Sequence, residues 1–133
     1  MKKLVVYFSH LGENLENYEI VVKTKGNTEK VAEIIASVNG ADLYQLVEHD
    51  EYPFSFEDCN RRAKQEYDDM AFPEIISKPI TNLDEYDEVY IGFPIWYRTY
   101  PRIISSFLKM YSLAGKKVKV YCKNDEGKFG LEL

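Results

Sequence analysis

The residues best placed to do chemistry are Ser9 and His10, followed by Lys25, Gly26, Asn27 and Thr28. A hydroxyl closing one segment and a Gly-Asn-Thr turn opening the next bring together side-chain donors and backbone N–H groups. Such a set holds an oxyanion, and suits a phosphate, without a nucleophile or a metal. A second set, Pro94-Ile95-Trp96-Tyr97-Arg98-Thr99-Tyr100, is aromatic, relatively dry and carries the one tryptophan. A third, running from Lys123, Asn124 and Asp125 to Gly130, is polar and contains glycine. A ligand with a phosphate at one end and a flat aromatic system at the other fits the three together. His10 either faces the phosphate or starts the polar insert after it; Arg98 is either a ligand or partner contact or a solvated charge. No nucleophile–base pair or metal cluster stands out: Cys59 and Cys122 lack metal-like spacing, and His49 sits in an acidic run as a solvated side chain.

These residues need elements to position them. Leu4-Val5-Val6-Tyr7-Phe8 is an unbroken apolar run, the mark of a strand buried on both faces, and it delivers Ser9 at its carboxyl end. Asn27 reads as the N-cap of a helix over Thr28–Val38, with Val31, Ile34, Ile35 and Val38 as its apolar face and Asn39-Gly40 as its stop. Between the two lies a polar insert, residues 10–25, whose Tyr18–Lys23 stretch suggests a short extended flap. Ala41–Val47 reads as a second strand at a sheet edge. A polar helix follows over about Glu57–Asp69, with Cys59, Ala63 and Tyr67 inward. Leu83–Tyr86 reads as a helical turn and Glu88–Phe93 as the third strand. A helix then opens with Pro101 in its first position, carrying Ile103, Ile104, Phe107, Leu108 and Tyr111 on one face. Lys117–Cys122 is the fourth strand, and the tail beyond Lys123 is polar. Strands alternating with helices specify an α/β domain with a parallel sheet and right-handed crossovers. In such sheets ligands sit at the carboxyl ends of the strands, where all three loops lie.

Composition narrows the options. With 133 residues, 45% hydrophobic and 29% charged, one domain with a sizeable core is expected. A net charge of −5 argues against nucleic acid and anionic membrane surfaces and favours a partner with a basic face. Two cysteines without a pairing pattern, no leader-like segment and no membrane-length apolar run suggest a reduced, cytoplasmic protein.

Val5-Val6-Tyr7-Phe8-Ser9, then Gly26-Asn27-Thr28-Glu29-Lys30-Val31-Ala32, then Gly92-Phe93-Pro94-Ile95-Trp96-Tyr97 with Thr99 and Pro101, resembles the flavodoxin family. Within it, the chain is similar to bacterial members with an insertion in the phosphate loop. The resemblance spans nearly the whole chain and implies a three-layer α-β-α sandwich over residues 1–133. It also implies FMN as cofactor, with Ser9, Asn27, Thr28 and the amides around Gly26 on the phosphate. Pro94, Ile95, Trp96 and Tyr97 would flank the isoalloxazine, and the third loop would approach its pyrimidine edge. Two departures are a tyrosine at Tyr97 where the group has a second tryptophan, and Arg98 where it has glycine. The family also continues past the third loop, so the chain reads as C-terminally truncated, lacking a fifth strand and final helix. Its expected strand order is 2-1-3-4, with Lys117–Cys122 as a free edge and a possible homodimer through that edge or an uncovered sheet face. Functionally the resemblance implies electron transfer with redox partner proteins. The alternatives are an FMN-dependent reductase of a quinone-type acceptor using a nicotinamide donor, and a domain that has lost FMN and serves as an interaction module.

Overall fold

The structure is a computed structural model describing every residue except Met1, Asn17, Tyr18, Thr24, Tyr97, Arg98, residues 124–128 and Leu133; at Leu15, Glu16, Lys123 and residues 129–132 it describes the backbone. The elements are β1 (Lys2–Tyr7), β2 (Gly12–Glu16), β3 (Glu19–Lys23), α1 (Asn27–Asn39), β4 (Asp42–Gln45), α2 (Phe56–Asp68), β5 (Tyr86–Pro94), α3 (Arg102–Met110), β6 (Lys117–Lys123) and β7 (Phe129–Glu132). A 3₁₀ turn at Leu83–Glu85 leads into β5. The main sheet runs β4-β1-β5-β6-β7, and its first four strands are parallel. They stand in the expected order. The expected free edge at Lys117–Cys122 is instead occupied: β7 pairs antiparallel with β6, Lys123 opposite Phe129. The insert is a two-stranded antiparallel hairpin, β2 with β3, which gives the anticipated flap its form.

The two faces of the sheet are covered differently. Leu4, Val6, Phe8, Val89, Ile91 and Phe93 form one buried face, closed by Cys59 of α2 and by Ile103, Ile104 and Phe107 of α3. Val118, Val120 and Cys122 of β6 pack against the same cluster. Each such large side chain withdrawn from water contributes roughly 1.5–3 kcal/mol. On the other face α1 lies over Val5, Tyr7, Tyr90 and Tyr121.

Here the expected helix face is corrected in part: Val31 and Ile35 pack against this cluster as expected, but Ile34 and Val38 do not. α1 buries Thr28, Ala32 and Ala36, whereas Ile34 and Val38 are 61% and 79% exposed. The cause lies in the sheet: three tyrosines already fill the space, so the helix approaches with its small residues. Gly92 makes the same accommodation, since a Cβ there would collide with the Tyr121 ring.

The remaining helices show smaller differences. Ser55 caps α2 by accepting the Asp58 N–H at 3.1 Å, and Tyr67 turns outward while Cys59 and Ala63 are buried as expected. Burial pushes the Cys59 thiol up to about 12. Pro101 is the extended N-cap of α3 rather than its first helical residue, and Leu108 faces out. Beyond the cover of α1, Glu88 lies between Lys119 at 2.9 Å and Lys3 at 3.5 Å, a charged ladder across β1, β5 and β6. The β6 lysines thus occupy the barer face, as their alternation with Val118 and Val120 implies.

The outer edge of β4 is guarded by the segment around Glu74–Lys78. Ser77 Oγ donates to the Gln45 carbonyl and accepts the Val47 N–H, and Ile76 N–H donates to the Val47 carbonyl.

Candidate functional site

The carboxyl end of β1 and the start of α1 meet at Ser9 and Gly26. Gly26, not Asn27, is the N-cap: its backbone is extended and its carbonyl accepts the first helical N–H, from Lys30, at 3.2 Å. Gly26 has no side chain to cap with, and Ser9 takes that place. Ser9 Oγ fills the space that a Gly26 Cβ would need, and accepts the Glu29 N–H at 3.4 Å. A residue two positions past β1 therefore caps the helix, which ties the helix start to the strand end. Asn27 and Thr28 occupy the first two helical positions, where backbone amides point out of the helix end. Thr28 is buried and Asn27 half-buried. Hydroxyls, amides and the positive end of a 13-residue helix converge there, and this donor set fits a phosphate group.

Lys25 and His10 are drawn to other partners. Lys25 Nζ lies 2.5 Å from Glu33 of α1. His10 is buried, its Nε2–H donating to the Pro53 carbonyl at 2.8 Å, and its ring stands edge-on to Trp96 with centroids 5.8 Å apart. Below the helix start, Tyr7 is raised to about 12 by burial and by the neighbouring Glu29 and Glu33 carboxylates.

In the second loop Trp96 is bridged to Thr99 through the backbone. Its N–H donates to the Thr99 carbonyl at 2.8 Å and its carbonyl accepts the Thr99 N–H at 3.1 Å. Its indole packs in an aromatic box of Phe8 (5.2 Å), Tyr52 (4.9 Å) and His10, all edge-to-face. Pro94 is buried at the end of β5 and Ile95 is half-buried. Sequence reasoning missed Tyr52 in this box. Its phenol donates to Glu66 at 2.5 Å and the Arg62 guanidinium stacks on its ring at 3.9 Å, so Tyr52 and α2 brace Trp96 from behind. The signal was present in the Tyr52-Pro53-Phe54 loop, but nothing in its spacing points to a residue 44 positions away.

Tyr97, Arg98, Asn124 and Asp125 lie outside the described residues, and Lys123 is described by its backbone as the end of β6. Among the described residues, no group of His, Cys, Asp and Glu is arranged to hold a metal ion, and no helix is long and apolar enough to cross a membrane.

A family model described as Flavodoxin matches residues 2–130. Among solved structures, a protein from Bacteroides eggerthii assigned as a flavoprotein is 32% identical with a TM-score of 0.73, covering 92% of this chain and 70% of its own. A second protein so assigned, from Bacteroides uniformis, is 31% identical at the same TM-score, covering 92% and 72%. A flavoprotein from Lactobacillus acidophilus, solved in complex with FMN, shares the fold at 22% identity and a TM-score of 0.73, covering 92% and 74%. No curated protein sequence matches the chain.

Proposed function

The chain belongs to the flavodoxin family, and from that premise we propose that it binds FMN and carries electrons between redox partner proteins in the cytoplasm. The observation that carries this is the contact of Ser9 with Gly26. A strand-end hydroxyl seated on a glycine N-cap sets Ser9 beside Asn27 and Thr28 at the positive end of α1, the place where a phosphate would bind. Ser9, Asn27 and Thr28 would hold that phosphate. Pro94, Ile95, Trp96, Tyr97 and Arg98 would face the ring system, with Lys123, Asn124 and Asp125 toward its far edge.

When bound, FMN supplies the redox chemistry. The chain supplies orientation and surroundings. The box of Phe8, Tyr52 and His10 fixes Trp96 in one place. A net charge of −5 disfavours further negative charge on a reduced ring and favours a redox partner with a basic face. The FMN held by the Lactobacillus acidophilus protein of the same fold supports the choice of cofactor.

Titration with FMN and with riboflavin tests the proposal, because only FMN has the phosphate. Asn27→Ala and Thr28→Ala should each weaken FMN binding by about 1.5–3 kcal/mol, or roughly tenfold to a hundredfold, and leave riboflavin little changed. Equal losses for both ligands would misplace the phosphate. Failure of the unaltered protein to take up either would remove the flavin.

A further inference from the structure

We propose that the chain pairs with a second copy of itself through the outer edge of β3, merging two hairpins into one four-stranded antiparallel sheet. The inference is independent of the cofactor. β3 pairs with β2 on one side, and no described strand pairs with its other side. An open edge of this kind is a template for another strand, and folded proteins commonly guard it. This protein guards β4 with the segment around Ser77, whereas among the described residues no backbone hydrogen bond from another element reaches the outer edge of β3.

The sequence of β3, Glu19-Ile20-Val21-Val22-Lys23, fits its own copy. Antiparallel pairing about a two-fold axis at Val21 sets Glu19 opposite the second copy's Lys23, Ile20 opposite its Val22, and Val21 opposite itself. Both charges meet their opposites, twice per interface, and opposite charges directly across a ladder are favourable. Ile20 and Val22, 57% and 58% exposed, would join their counterparts in an apolar cluster on one face of the enlarged sheet. A shift of one residue would break both the charge match and the shared face. The contact uses the same edge on both copies, so it closes at a dimer instead of growing into a fibre.

The hairpin presents this edge rigidly because β2 is fastened to the body. Glu13 N–H donates to the Phe54 carbonyl at 2.9 Å, and the Glu13 carboxylate accepts the Phe56 N–H at 2.7 Å at the start of α2.

Sedimentation equilibrium over a range of concentrations decides the matter. The unaltered protein should show a monomer–dimer equilibrium. Glu19→Lys places like charges opposite each other twice and should raise the dissociation constant by about tenfold or more. The double variant Glu19→Lys/Lys23→Glu restores the match and should recover the dimer. Directly opposed residues have Cα atoms about 4.5–5.5 Å apart, within disulfide reach. Val21→Cys should therefore form a disulfide-linked dimer on mild oxidation, and Glu19→Cys should not. The proposal falls if the unaltered protein stays monomeric up to about 1 mM, which would leave the edge to a strand of another protein. It also falls if the double variant associates no better than Glu19→Lys, or if the Glu19→Cys variant cross-links as readily as the Val21→Cys variant.

Discussion

One sheet in this protein has two faces built by opposite means. Toward α2 and α3 it is closed by aliphatic and phenyl side chains, from Leu4 and Phe8 through Val89 and Ile91 to Phe107. Toward α1 it carries Tyr7, Tyr90 and Tyr121, then the ladder of Lys3, Glu88 and Lys119. The first face draws stability from volume filled. The second draws it from fit between large sheet residues and a small-faced helix, and from charges that hold one another at the margin. The same strands can supply both because successive side chains point to opposite faces.

The largest expected effect tests the first face. Phe107 is fully buried, and Phe107→Ala should cost about 3–5 kcal/mol in denaturant unfolding, a large share of a stability of about 5–15 kcal/mol. A cost under about 1 kcal/mol would mean that this face tolerates loss of volume.

On the second face the sensitive change is an addition. Gly92→Ala drives a methyl into the Tyr121 ring and should cost about 1–3 kcal/mol. Pairing it with Tyr121→Leu should recover part of that loss, because the two positions share one space. Strict additivity of the two costs would refute the fit.

Next comes the ladder. Lys119 first, with Lys3 behind it, holds the Glu88 carboxyl below its ordinary value of 4.5. A carboxyl depressed by folding contributes stability above its unfolded pKa and loses it as pH falls through the folded one. The unaltered protein should therefore lose stability more steeply below pH 4.5 than Glu88→Gln does. Parallel pH profiles would show the ladder to be energetically silent. The smallest effect is expected on the outer side of α1, where Val38→Ala should change stability by no more than about 0.5 kcal/mol, since Val38 is 79% exposed.

The contrast between faces also decides what the sequence made legible. β1 could be read because a run such as Leu4–Phe8 is compatible with burial on both sides and with little else. The turn that opens α1 could be read because Gly26-Asn27-Thr28 follows such a strand. The inward side of α1 could be read only in part, since Val31 and Ile35 do pack toward the sheet while Ile34 and Val38 do not. Val31, Ile34, Ile35 and Val38 satisfy a helical period, and only the tyrosines across the interface reveal that Ala32 and Ala36 must face in. For the same reason Asn27 resembled a cap. The hydroxyl that performs the capping is Ser9, brought there by the fold from another element. β7 escaped because one alternation, Phe129 and Leu131, is too short to mark a strand in a polar tail, and its pairing depends on an edge that β6 offers.

The buried thiol of Cys59 has a practical consequence. With 4% exposure and its acidity suppressed to about 12, it is nearly inert while the core stays shut, because thiol reagents need an accessible thiolate. Its labelling by a thiol reagent must wait until α2 lifts from the sheet, so the labelling rate is a clock for that opening. Cys122, half-buried on β6, keeps separate time in the same molecule. If the two clocks agree in native buffer, α2 and the distal strand open as one unit. If Cys122 runs ahead, that strand can loosen while α2 stays in place.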